Sequence, residues 1–275
     1  MSQTRPWSTL DVLRDGFVAE VILNRPNARN AMSPDMFREL GEVFAMLDRD
    51  ESVRVILLHG AGDGFSAGLD LAAAMSELGP ILQGSTAGPR MQLRDLILRW
   101  QRETGAPAHN RKPVIAAVHG WCIGGGLDLI AACDIRLASA DARISLRETR
   151  IAIVADVGSL QRLPRIIGDA ATRELALTGR DIDAAEALRL GLISRILPDH
   201  AALLAAARAT AAEIAQLAPL TVQGVKQVLN YQDGKTVEAG LEYVAAWNSA
   251  FLQSEDFAEA IAAWFEKRAP QYKGA

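Results

Sequence analysis

The sequence of 275 residues predicts a mixed α/β fold that gives way, after about Leu197, to an all-helical region. Three observations carry this prediction. Unbroken β-branched runs alternate with segments of helical spacing, as expected of buried strands connected by helices. Two glycine-bearing turns each lead from such a run into a helix. The closing stretch is alanine-rich, with apolar residues at i, i+3 and i+4.

The elements follow in order. "DGFVAEVILN" alternates apolar and polar residues and reads as a strand. "SPDMFRELGEVFAMLDRD" has helical spacing, with Ser33 as cap and Pro34 at the first helical position. "VRVILLHG" (53–60) and "KPVIAAVHG" (112–120) are buried strands, and the second runs into a triple glycine and a helix. "DIRLAS" and "ARISLRE" read as short strands, so Glu148 ends a strand. The segment from Ser76 to Gln92 is rich in glycine and small residues. It reads as a mobile loop near a binding site or as a plain surface connector. Beyond Leu197, "DHAALLAAARATAAEIAQLA", "LTVQGVKQVLN", "TVEAGLEYVAAWNSAFLQ" and "SEDFAEAIAAWFEKR" are helices.

Composition bounds the function. An apolar fraction of 49% and a charged fraction of 23% are those of an ordinary globular protein. The length suits one large domain, or one with a smaller appendage, and permits a sizeable core. A net charge of −4 with no basic stripe argues against nucleic acid. No apolar run approaches the length of a membrane span. "MSQTRPWSTL" lacks an apolar signal core and "QYKGA" is no peroxisomal address, so the expectation is a cytoplasmic protein. Cys122 and Cys133 stand too far apart along a helix that begins near Gly125 for a disulfide, and read as buried thiols. Neither has a partner at metal-ligand spacing, the four histidines are scattered, and no metal site is expected.

The turns "GAGDGFSAGLDL" and "HGWCIGGGLDL" lack the spacing of a dinucleotide fingerprint and a Walker lysine. Each alone is a tight strand-to-helix connection. Taken together, one backbone N–H from each could bind a single developing oxyanion. Three carboxylates follow. Singly, Asp128 complements a helix N-terminus, Glu148 closes a strand or pairs with Arg147 or Arg150, and Asp156 is an N-cap. As a group in apolar, glycine-lined surroundings, they have the raised pKa that suits proton transfer near neutral pH.

At this point the sequence resembles the crotonase, or enoyl-CoA hydratase/isomerase, superfamily. The blocks that carry the resemblance are "LNRPNARNAMSPDMFREL", "VRVILLHGAGDGFSAGLDL", "KPVIAAVHGWCIGGGLDLIAACDIRLAS", "LQRLPRIIG", "ALTGRDIDAAEALRLGLISRIL" and "FEKRAPQY", in that order over nearly the whole chain. The resemblance implies a crotonase-like spiral of β-β-α units over residues 1–197, holding the CoA site and the active site. It implies a C-terminal helical region over 198–275 that mediates trimers, often assembled into hexamers. It implies an acyl-CoA thioester substrate, with coenzyme A as part of the substrate and no separate cofactor. The enolate donors would be the N–H groups of Leu69 and Gly125. Around them, Ser66, Ala67, Gly68, Asp70 and Gly126 would contact the CoA portion, and Arg29 and Lys267 are candidate phosphate partners. Lys267 reads equally as a solvated cation.

Hydratases of this family use two glutamates on water, at the positions of Asp128 and Glu148. They usually carry glycine at the position of Asp156. The Asp, Glu, Asp set at spacings of twenty and eight, within "ADVGSLQRLP", is similar to the delta(3,5)-delta(2,4)-dienoyl-CoA isomerase branch. That branch implies Glu148 at the α-carbon, Asp156 at the distal carbon, and Asp128 tuning the pair. The alternatives are an enoyl-CoA hydratase working through Asp128 and Glu148, and a catalytically silent acyl-CoA-binding scaffold. Fatty-acid, sterol and aromatic degradation all use such folds.

Overall fold

The unbroken apolar runs form the middle of a sheet covered on both faces. The computed structural model describes residues 2–4 and 7–275. Among them the strands, in chain order, are β1 (Ser2–Thr4), β2 (Leu10–Asp15), β3 (Val18–Leu23), β4 (Val55–Gly60), β5 (Val114–Val118), β6 (Trp121–Ile123), β7 (Ile135–Ser139), β8 (Arg143–Ser145), β9 (Asp181–Asp183) and β10 (Arg195–Leu197). The larger sheet runs β1-β2-β3-β4-β5-β7-β10, and a smaller one runs β6-β8-β9. From β3 to β10 the pairs of the larger sheet are parallel.

The helices are α1 (Pro34–Arg49), α2 (Leu71–Leu82), α3 (Ala87–Thr104), α4 (Ala106–His109), α5 (Gly125–Ala131), α6 (Ser159–Ile167), α7 (Asp169–Thr178), α8 (Ala184–Arg189), α9 (His200–Ala215), α10 (Pro219–Tyr231), α11 (Val237–Phe251) and α12 (Glu255–Glu266). A strand of the large sheet, a strand of the small sheet and a helix recur as β5-β6-α5 and β7-β8-α6. The turn after β4 joins the same pattern through a single bridge from Ser66 to Cys122. These stacked units are the β-β-α spiral expected.

Alternation along β4 explains its composition. Ile56 and Leu58 pack into the core that holds Met36, Leu40 and Phe44 of α1. Val55 and Leu57 face the opposite side, against Leu203, Ala207 and Ala211 of α9. Both faces are dry, so the run from Val55 to Leu58 is wholly apolar. The four-residue alanine spacing of α9 lets that helix lie close on the sheet. Ser33 caps α1 as expected, its Oγ accepting from Met36 N at 3.3 Å.

The segment 76–92 differs from the loop read in the sequence. It is helical in α2 and α3, with a break only at 83–86. Pro80 sits in the last turn of α2. Leu78 and Ile81 of α2 pack half-buried against the core, and Leu78 walls a cavity together with Leu93 of α3; that packing outweighs the poor helix propensity. Both cysteines are free and buried. No single helix among the described residues is long and apolar enough to cross a membrane.

Candidate active site

Two turns and one irregular stretch converge on a cavity of about 610 Å³, within the range of small-molecule sites. The first turn follows β4 and is built around Asn30. This buried residue stands in the left-handed region at φ 51°. Its Nδ2 donates to Ala61 O at 2.8 Å and Gly64 O at 2.9 Å. Its carbonyl accepts from Ser66 Oγ at 2.8 Å, and Ser66 Oγ in turn accepts from Gly68 N at 3.1 Å.

Met32 then pins the turn from the side. Met32 N donates to Gly68 O at 2.7 Å, and Asp70 N donates to Met32 O at 3.0 Å. In this parallel bridge the paired groups flank Leu69, so the N–H of Leu69 itself points away from Met32. The second turn places Gly125 at the first position of α5, where an N–H has no partner within the helix. The two turns touch. A β-carbon on Gly125 would lie 4.0 Å from Leu69 N, and one on Gly68 would lie 3.6 Å from Gly125 N. Two unspent N–H groups therefore meet on the wall of one cavity.

Other residues expected around the CoA portion have their N–H groups committed within the fold. Ser66 N donates to Trp121 O, Ala67 N to Arg29 O and Asp70 N to Met32 O, at 2.8–3.0 Å. Asp70 caps α2 through Ala73 N and pairs with Arg25 at 2.9 Å. Gly126 packs against Ser66, where a β-carbon would come within 3.0 Å of the Ser66 side chain. Ala67 and Gly68 line the cavity. Arg29 and Lys267 are exposed, both at positive φ.

The three carboxylates all line the cavity. Asp128 is fully buried. Its Oδ1 accepts from both the N–H and the Oγ of Ser159, the latter at 2.6 Å, while its Oδ2 has no partner. Asp128, not Asp156, thus bonds the first N–H of α6, a cap supplied from 31 residues away. Burial pushes its carboxyl up to about 6, against the pull of the Ser159 bonds and of Arg162.

Glu148 begins a single 3₁₀ turn, Glu148–Ile151, because β8 stops at Ser145; it does not end a strand. Its Oε1 packs over Gly124, where a β-carbon would lie 2.9 Å away. Gly124 also has φ 49°, so glycine is required there twice over. Burial, reinforced by the charge of Asp128, pushes Glu148 up to about 7. Its Oε2 is buried without a partner. Asp156 lies in the stretch before α6, and burial raises its carboxyl as well.

Apolar side chains complete the cavity, among them Phe37 and Trp100, stacked at 5.1 Å between centroids. Among the described residues no group of three His, Cys, Asp or Glu side chains is arranged to hold a metal ion. Three polar residues at the site escaped the sequence reading. Ser159 holds Asp128. Arg162 lies over Gly158 and Gly105 within electrostatic reach of Asp128. Gln101 Nε2 donates to Asp156 O at 2.7 Å. Each acts across a gap in sequence that local pattern does not reveal. The only local trace is the polar pair of Ser159 and Arg162 inside "GSLQRLP".

Residues 14–275 match the family model described as enoyl-CoA hydratase/isomerase. The chain is 44% identical over 261 residues to the mitochondrial delta(3,5)-delta(2,4)-dienoyl-CoA isomerase of Dictyostelium discoideum, covering 94% of this chain and 88% of that one. It is 44% identical to the peroxisomal isomerase of the same name from Arabidopsis thaliana, covering 97% of both. Among solved structures, an enoyl-CoA hydratase from Bacillus anthracis superposes with a TM-score of 0.88 at 31% identity, covering 98% of this chain and all of the other. The expected cytoplasmic location is overturned by these relatives, which are mitochondrial or peroxisomal. That expectation rested on the absence of a recognisable address, and an absence encodes no compartment.

Proposed function

The chain belongs to the enoyl-CoA hydratase/isomerase family, and on that premise we propose that it is an acyl-CoA isomerase converting a 3,5-dienoyl-CoA into its 2,4-dienoyl isomer. The observation that carries this reading is Asp156 on the same cavity wall as Glu148 and Asp128. A hydratase needs two carboxyl groups around one water. Moving a double-bond pair along a chain needs a group at each end.

The proton on C2 of the thioester is the acidic one. Glu148, poised at about 7, takes it in its ionised form. The electron pair left behind spreads through the dienolate onto the thioester oxygen. The N–H groups of Leu69 and Gly125 receive that charge without reorganising, since no fold contact occupies them. Protonated Asp156 then gives its proton to C6, which leaves double bonds at C2 and C4. The acyl chain displaces water from the cavity and deepens the burial that already raises Asp156, so the acid form gains weight when substrate is bound. Asp128 is held by Ser159 with its second oxygen unpaired. Burial, with the charge of Asp128 added to it, holds Glu148 at about 7. Coenzyme A enters as part of the substrate, and the chemistry calls for no cofactor.

Oligomerisation belongs to the same reading. Val225, Leu229, Val237, Leu241, Trp264 and Phe265 are exposed on α10, α11 and α12. This apolar surface supports trimers, or hexamers of two trimers, formed through residues 198–275. A role in degrading unsaturated fatty acyl chains suits the substrate.

The hydratase alternative has the weaker support, because the similar dienoyl-CoA isomerases share 44% identity and a probable enoyl-CoA hydratase of Bacillus subtilis 36%. Ultraviolet absorbance decides between them. Purified protein should convert a 3,5-dienoyl-CoA with a gain in absorbance as conjugation with the thioester forms. Rapid hydration of crotonyl-CoA with no action on the dienoyl thioester would overturn the assignment.

A further inference from the structure

Asp156 sits where no ladder holds it. It follows the 3₁₀ turn at Glu148–Ile151 and precedes α6, between Ala152 at φ 59° and Gly158 at φ 136°. Among the described residues, one hydrogen bond from another residue engages its main chain. Gln101 Nε2, in the last turn of α3, donates to Asp156 O at 2.7 Å across 55 residues. The same turn of α3 is closed by Gly105 N donating to Gln101 O at 2.9 Å. One turn and two turns earlier on this helix, Ile97 and Leu93 line the cavity, and Trp100 lines it beside them.

We infer that Gln101 is a positioning residue that sets the reach of Asp156 toward the distal carbon of the acyl chain, an inference that rests on the isomerase reading above. Glu148 needs no such strut. It packs over Gly124 and starts its own turn, while Gly124 N is fixed to Ser145 O at 2.8 Å. The two ends of the proton transfer are therefore held independently: Glu148 by the second glycine turn, Asp156 by α3. Loss of the Gln101 donor leaves the first step intact and loosens the second. The dienolate still forms when C2–H gives its proton to Glu148. With Asp156 displaced, that proton, or one exchanged from solvent, returns to C2 more often than a proton from Asp156 reaches C6. The same helix forms the apolar wall, so the strut also ties the position of the acid to the surface the acyl tail touches.

The test follows both outcomes of the dienolate in D₂O. Gln101→Met keeps the length of the side chain and removes the donor; Gln101→Ala removes both. Isomerisation is read by absorbance, and deuterium at C2 of recovered 3,5-dienoyl-CoA by mass spectrometry. Expected for Gln101→Met are a kcat lower by about tenfold or more, a KM within twofold of the parent, and a ratio of C2 exchange to isomerisation raised by a similar factor. An unchanged kcat would overturn the inference. So would exchange and isomerisation falling together, the mark of general loosening. A parent enzyme inert toward the dienoyl thioester would sink the isomerase reading, and this inference with it. An active parent with an unaltered Gln101→Met variant sinks the inference alone. Should Gln101→Ala not fold, the methionine variant carries the test.

Discussion

Replacing Gly68 with alanine probes the contact between the two turns. The new β-carbon would lie 2.7 Å from Ile123 O and 3.6 Å from Gly125 N, at a backbone φ of 86°. The left-handed conformation costs a residue with a β-carbon roughly 1–2 kcal/mol. The overlap with Ile123 O is with main chain, so no side chain can swing aside to relieve it. The turns must part by roughly 0.5–1 Å to restore ordinary contact, at a further cost of about 1–3 kcal/mol for overpacking. Met32 pins the Leu69 side of the gap and α5 the Gly125 side, so the opening falls on the space between the two N–H groups. Losing one oxyanion donor is worth about 3 kcal/mol, or on the order of 10²-fold in kcat. The assay is steady-state isomerisation at a temperature where a thermal melt shows the variant folded. Expected are a kcat lower by about 10²-fold, a KM within a few-fold, and a Tm lower by several degrees. A folded variant with kcat within threefold of the parent would refute the placement of the oxyanion site between Leu69 and Gly125.

Two further outcomes follow from the carboxylates. Glu148 is raised from an ordinary 4.5 to about 7 in the fold, so between those values the unfolded chain releases a proton that the folded one keeps. Stability therefore falls as pH rises from about 4.5 to 7, by about 3 kcal/mol at most. Glu148→Gln should abolish isomerisation, melt above the parent at pH 8, and melt with it near pH 4; equal melting at both pH values would contradict the buried charge. Asp128→Asn retains an oxygen for the Ser159 N–H and Oγ and removes the negative charge beside Glu148. The acid limb of kcat/KM, set by ionisation of Glu148, should move down by roughly one pH unit; an unmoved limb in a pH–rate profile would show that the two groups are not coupled.

What the sequence revealed and what it hid divide along the range of the interactions. The double-sided burial of β4 and β5 is written in their own residues, and the Ser33 cap is three residues from its donor. The glycine turns were legible because a close approach of main chain to main chain leaves no other residue possible. The helices at 76–92 were hidden because glycine, serine and proline there oppose helix formation locally, while the cavity wall they form stabilises it from outside. The end of β8 at Ser145 and the 3₁₀ turn at Glu148 were hidden for the same reason: the strand is only as long as its pairing with β6 and β9. Asp156 has the local context of an N-cap, yet Asp128 occupies that role from another element. The partnership of Gln101 with Asp156 spans 55 residues and leaves no local pattern. The chemistry of the site was visible as residue types at fixed spacings; the supports that aim those residues were visible only once the chain was folded.

The mechanism divides its labour between Glu148 and Asp156. Asp156→Asn keeps the shape of the side chain and removes its proton. Isomerisation in D₂O, followed by NMR at C2 and C6, tests that division directly. The parent should place deuterium at C6 of the 2,4-dienoyl product. The variant should exchange hydrogen at C2 of the substrate while forming product at least about 10²-fold more slowly, with acyl-CoA binding near that of the parent. Product formed by Asp156→Asn within a few-fold of the parental rate, labelled at C6, would show that another group delivers the proton and would contradict the mechanism.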